Sequence, residues 1–107
     1  MNIAKLANDQ GLTCDEFIEI IVVFIDTAKR DIEAIRSAVA NDDAEAVVLA
    51  AHSLKGAAGN LGLDEFYDIA LGTEQHARKH ELTNLPRCVD RLEEALRRLV
   101  SMMRDTH

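Results

Sequence analysis

The chain has 107 residues, 12 Lys plus Arg against 19 Asp plus Glu and a formal net charge of −7, so it suits one domain with one core and lacks the basic balance of a nucleic-acid-binding module. Hydrophobic residues make up 48%, enough for a packed core, whereas aromatics reach only 4% with no Trp, which disfavours base-stacking platforms and carbohydrate clefts. Ala and Leu are abundant and Pro occurs once, a composition that points to an acidic, all-α domain.

In chain order, residues 2–9 suit a short helix with Ile3, Leu6 and Ala7 on one side, ending at Gly11. Thr13 followed by Glu16 is a capping box, in which hydroxyl and carboxylate each satisfy a backbone donor of the first turn. Phe17, Ile21, Phe24, Ala28, Ile32, Ile35 and Val39 then recur every three or four positions, which predicts a long amphipathic helix over residues 14–40. Asn41, Asp42 and Asp43 break it and supply the cap of the next helix, with Glu45 three residues after Asp42, and that helix, residues 43–60, stops at Leu61-Gly62.

Asp64 is the expected third cap, followed by Phe66, Ile69, Ala70, Thr73 and Ala77 on one face. Glu81 to Asn84 form a loop into a last helix with Pro86 in its first turn. Leu85, Val89, Leu92, Leu96, Leu99 and Met103 follow an unbroken helical spacing there, with Cys88 and Ala95 widening the stripe. Four amphipathic helices with short connections predict an antiparallel up-and-down four-helix bundle with a short extra N-terminal helix, forming one domain over residues 1–107. No 18-residue uncharged apolar run occurs, and Met1 is followed by a short amphipathic segment instead of a basic leader, so a cytoplasmic protein with two free thiols, Cys14 and Cys88, is expected.

The run Ala51 to Gly62 departs from this generic pattern. At about 100° per residue, Val47, Ala50, Ala51, Leu54, Ala58 and Leu61 gather on the core side. His52, Lys55, Gly56 and Gly59 fall on a stripe opposite and to one side, with Val48 and Leu49 one turn before. Interior glycines cost a helix about 0.5–1 kcal/mol each relative to Ala, so two of them on the solvent side imply close approach by another surface. Lys55, one turn away, supplies a mobile cation able to neutralise an anion attached to or approaching the imidazole. An exposed His, a neighbouring Lys and bare helix backbone suit the movement of a phosphoryl group.

His52-Ser-Leu-Lys55-Gly56-Ala-Ala-Gly59-Asn-Leu-Gly62 resembles the signature of histidine-containing phosphotransfer (HPt) domains of two-component phosphorelays, and the similarity spans nearly the whole chain. The resemblance implies that His52 is phosphorylated at Nε2, that Lys55 is the cation near the phosphoryl group and that Gly56 leaves room for the partner. Gly59 and Gly62 match the family's small positions. It also implies a Glu or Gln on the following helix bonded to the other ring nitrogen, and Glu74 and Gln75 both stand at the right distance along the chain. Thr73 occupies a position that is more often aliphatic in the family.

By the same resemblance, a phosphotransfer intermediate is expected, with no ATP-dependent kinase activity of its own. The partners implied are response-regulator receiver domains, which bring the Mg²⁺, and an upstream (hybrid) histidine kinase. Val48 and Leu49 belong to the expected docking strip, with residues of the first long helix beside it. No cofactor bound by this chain, no nucleic acid, no membrane contact and a monomer are expected. Two other classes compete. One is a metal-binding bundle using His76 and His80 at i, i+4 with Glu81 as a further ligand, in a context that also suits a solvated helix end. The other is a non-phosphorylated adaptor that binds a receiver through the same face.

Overall fold

The computed structural model describes residues 3–106; Met1, Asn2 and His107 lie outside them. Five α-helices follow in order, α1 (Ile3–Asp9), α2 (Cys14–Ala40), α3 (Ala44–Asn60), α4 (Asp64–Arg78) and α5 (Leu85–Thr106), with one turn of 3-10 helix at Leu82–Asn84 before α5. Among the described residues there is no strand, and no helix is long and apolar enough to cross a membrane. The Thr13–Glu16 capping box forms as the spacing predicts, with Glu16 N–H donating to Thr13 Oγ1 and Thr13 N–H donating to Glu16 Oε1. Both cysteines are free, Cys14 exposed and Cys88 buried.

Four helices end in the same way. Just beyond each stands a residue in the left-handed region: Gly11 (φ 72°), Asp42 (53°), Gly62 (70°) and His80 (57°). The N–H of that residue and of the next fold back onto the last turn: Gly62 N–H reaches Gly59 O at 3.3 Å and Leu63 N–H reaches Ala58 O at 3.0 Å, a Schellman closure that satisfies orphan carbonyls. This geometry selects one expected cap from its three candidates and corrects another. Asp42 closes α2 (its N–H bonds Val39 O, and Asp43 N–H bonds Ala38 O), so it is Asp43 that caps α3, accepting from Ala46 N–H at 3.2 Å. Asp64 is the first residue of α4, and the capping position falls to Leu63, fully buried and with no side-chain cap bond.

Packing follows the apolar stripes. Phe17, Ile21, Phe24, Ala28, Ile32 and Ile35 of α2, Val47, Ala51, Leu54 and Ala58 of α3, and Leu85, Val89, Leu92, Ala95, Leu99 and Met103 of α5 are all buried in one core. The rings of Phe24 and Phe66 meet edge to face with centroids 5.2 Å apart. Helix α3 lies between α2 and α4, α5 packs on α2 and α4, and α1 packs on α2. Thr73, the polar residue in the α4 stripe, is fully buried and donates its hydroxyl to Ile69 O at 2.7 Å, so it occupies an apolar position without an unsatisfied group.

Candidate functional site

The outward strip of α3 runs through Leu49, His52, Ser53, Gly56, Gly59 and Asn60, all exposed. The register that buries Val47, Ala51, Leu54 and Ala58 forces this, because those four take the opposite face. Leu49 is 74% exposed, an apolar side chain in water one turn before His52. On one flank Ser53 donates its hydroxyl to Asp31 Oδ2 of α2 at 3.1 Å, and burial pushes the Asp31 carboxyl up against the lowering effect of that bond. Further along, Ile20, Val23 and Thr27 of α2 line an open cleft with Ala57 of α3 and Leu61 just beyond its end.

On the other flank stands α4. Phe66, Ile69, Ala70, Thr73 and Ala77 sink into the core, and this sets Glu74 at the seam with α3, only 4% exposed. Its carboxylate meets three cationic or donor groups: Lys55 Nζ at 2.7 Å from Oε1, with Arg78 Nη2 at 2.8 Å and His52 Nδ1 at 3.0 Å from Oε2. Burial alone would raise the Glu74 carboxyl, but the hydrogen bonds from Lys55, Arg78 and His52 outweigh it and hold the group at about 2. Glu74 is therefore ionised at neutral pH and accepts only. His52 Nδ1 must carry the proton, and the lone pair of the neutral ring sits on Nε2. The imidazole side chain is 65% exposed, so that lone pair is available to a reagent arriving from solvent.

Of the two residues the sequence left open, Glu74 makes the bond to the imidazole, and Gln75 is exposed with no bond to His52. Lys55 was expected to be a mobile surface cation. Its side chain is only 20% exposed and is tied to Glu74. Val48 was expected on the exposed strip, but it is half-buried and packs against the core, which leaves Leu49 as the apolar residue in solvent. The two glycines also part company. A Cβ on Gly56 would meet nothing within 4 Å, whereas one on Gly59 would stand 3.2 Å from Tyr67 Cδ2, so Gly59 admits a ring of this chain's own α4 instead of a partner.

Arg78 went unassigned in the sequence. Its signal was there: Glu74 and Arg78 stand at i, i+4, the spacing of a helical ion pair. His76 and His80 do not share a helix face, because α4 ends at Arg78 and His80 turns into the left-handed closure. His76 Nδ1 lies 3.1 Å from Glu81 Oε1, and no group of three or more His, Cys, Asp or Glu arranged to hold a metal ion occurs among the described residues.

Gly56→Ala separates the two reasons for a glycine in this helix. With open space at that Cβ, the substitution is expected to stabilise the fold by about 0.5–1 kcal/mol, the helix propensity difference. Thermal unfolding checks that gain. The added methyl stands beside His52 on the outward strip, so transfer from a protein partner is expected to slow by several-fold through poorer fit.

Residues 19–102 match the family model described as Hpt domain. The fold is similar to that in the crystal structure of histidine-containing phosphotransfer protein B (HptB) from Pseudomonas aeruginosa PAO1, with a TM-score of 0.84 and 24% sequence identity over 94% of this chain and 88% of that one. No curated protein matches the sequence.

Proposed function

This chain belongs to the Hpt domain family and is a histidine phosphotransfer protein of two-component phosphorelays, and from that premise we propose that His52 is the residue that carries the phosphoryl group. Domains of this family interact with receiver domains and histidine kinases. What supports the choice of His52 is one contact: Glu74 Oε2, 3.0 Å from Nδ1, accepts a hydrogen bond from the ring N–H, which fixes the proton on Nδ1 and leaves Nε2 with its lone pair in an exposed ring.

The step balances without a proton transfer. The Nε2 lone pair attacks phosphorus of an aspartyl phosphate on a receiver, in line with the departing carboxylate. The N–P bond forms as the P–O bond breaks. Nδ1–H stays on the ring, and the positive charge the ring acquires is met by Glu74. Reversal onto a second receiver's aspartate regenerates the neutral imidazole. Mg²⁺ on the receiver would supply the remaining charge neutralisation, and this chain contributes the nucleophile, Lys55 and a docking face.

That face runs from Leu49 over His52 and Gly56, with Ile20 and Val23 of α2 beside it. Val23 is 66% exposed and Ile20 37%, apolar side chains in water that a partner surface would cover. Val23→Asp is expected to weaken receiver binding about tenfold, because a carboxylate would be desolvated in an apolar contact. Titration calorimetry checks the loss. Unchanged binding would move the docking face away from α2. The proposal extends to the architecture and state of the chain: α2 to α5 form an antiparallel up-and-down four-helix bundle in one domain, acting as a cytoplasmic monomer. Cross-helix partners such as Ser53 with Asp31 and Arg36 with Glu93 support the antiparallel pairing of α2 with α3 and with α5.

The decisive experiment presents the chain to a panel of receiver domains carrying labelled phosphate. Label that appears on this chain and is labile in acid but stable in base is phosphohistidine. Receiver binding with no transfer of label from any member would leave an adaptor instead.

A further inference from the structure

Lys55 faces two anions in this scheme and can neutralise only one of them at a time. In the resting site it is bound to Glu74 Oε1 at 2.7 Å. When a phosphoryl group reaches Nε2 of His52, a second anion stands beside the same ammonium. If Lys55 turned to it with nothing else on Glu74, a carboxylate that is 4% exposed would lose a charge partner, a cost that buried carboxylates do not bear.

Arg78 removes that conflict. Its Nη2 lies 2.8 Å from Oε2, the other carboxylate oxygen, and the pair is joined along one helix at i, i+4, so it need not move when the imidazole reacts. The guanidinium is 60% exposed and always charged, and a single fork of donors is enough to hold one carboxylate oxygen. We infer that Arg78 is a positioning residue: it is the standing counterion of Glu74, and by staying there it releases Lys55 from Oε1 to the incoming phosphoryl group. Every anion then keeps a cation throughout. At rest Glu74 holds Lys55 and Arg78. After transfer Lys55 serves the phosphoryl oxygens, while Arg78 and the ring N–H serve Glu74. The exchange involves no change of covalent bonds beyond the transfer itself.

This rests on His52 being the phosphoryl acceptor, and its test separates the two. Single-turnover transfer from a labelled receiver that loads the wild type is timed for Lys55→Gln, Arg78→Gln, the double variant and Arg78→Lys. Lys55→Gln and Arg78→Gln are each expected to slow transfer about tenfold. The double variant is expected to be about as slow as either single one, because without Arg78 the lysine stays on Glu74 and its removal costs nothing more. Arg78→Lys, which keeps a cation at i, i+4, is expected to recover to within about threefold of wild type. Arg78 is mostly exposed, and thermal unfolding of each variant records any loss of fold.

Losses that multiply to about a hundredfold in the double variant would overturn the exchange, since two independent residues behave that way. So would wild-type rates in Arg78→Gln, or Arg78→Lys as slow as Arg78→Gln. A wild-type chain that takes no label from any receiver would overturn the His52 reading and this inference together.

Discussion

His52→Gln is expected to remove all phosphoryl acceptance while leaving the fold at close to wild-type stability. The two effects separate because of where the side chain sits. The imidazole is 65% exposed and makes one bond, to Glu74 Oε2 at 3.0 Å. Removing that bond leaves Glu74 with Lys55 and Arg78 still in place, so the stability change should stay within about 0.5–1 kcal/mol. The nucleophile, by contrast, has no substitute: glutamine offers no basic nitrogen, and loss of the acceptor atom ends transfer outright instead of slowing it. Label transfer from a receiver beside thermal unfolding of the same sample measures both. Label persisting on the variant would move the acceptor elsewhere, with His76 and His80 the next residues to substitute.

Glu74→Gln is expected to have the second largest effect, on stability, pH dependence and transfer together. The Glu74 carboxyl is held at about 2 against an ordinary value of 4.5, with burial opposing and the three hydrogen bonds prevailing. The folded value lies below the unfolded one, so the carboxylate contributes stability that is complete above about pH 4.5 and is lost as the pH falls towards 2. A lowering of that size corresponds to on the order of 3 kcal/mol at neutral pH. The variant should therefore be less stable than the wild type at pH 7, with Lys55 and Arg78 facing an uncharged amide. The gap should close as acid protonates Glu74 in the wild type. Denaturant unfolding followed from pH 7 to pH 2 checks this, and parallel curves would remove Glu74 as the source of the acid sensitivity. Transfer should fall about tenfold, since an amide oxygen can still accept from Nδ1–H but without the charge that stabilises the phosphorylated ring.

The same ion cluster shows why burial of a carboxylate here is tolerable. An isolated buried charge is costly, but three donors converge on two oxygens and leave neither unsatisfied. The cluster also couples the site to the helix seam. Any change that shifts α4 along α3, such as a larger side chain at Gly59 against Tyr67, would move the carboxylate relative to the imidazole.

Much of this was legible in the residues alone. The apolar spacings on α2 and α5 predicted both helices, because a helix that buries one stripe must repeat it every three or four positions. The Thr13–Glu16 cap was equally local, with donor and acceptor three residues apart. The outward register of His52 and Gly56 followed from the same arithmetic applied to Val47, Ala51 and Leu54. Helix ends were legible where glycine marks them, at Gly11 and Gly62, and misleading where it does not. Asp42 and His80 take the same left-handed conformation, which Asp and His tolerate without advertising it, so the cap of α3 was left open among Asn41, Asp42 and Asp43 and the end of α4 was placed about two residues too late.

What the sequence determined by itself was whatever depends on neighbours within a turn or two: the helices, their buried faces and the exposed histidine. Only the tertiary structure decided what lies across the seam between α3 and α4. Glu74 and Gln75 are adjacent and chemically alike, and the depth to which Phe66, Ile69 and Thr73 sink decides which of them turns towards His52. Lys55 looked like a free surface cation until a carboxylate 19 positions away came within 2.7 Å. Gly59 looked like room for a partner until Tyr67 filled it. Periodicity gives the angle of a side chain about its own helix axis; it carries nothing about how far the neighbouring helix is rotated or advanced, and that is set by packing summed over the whole core.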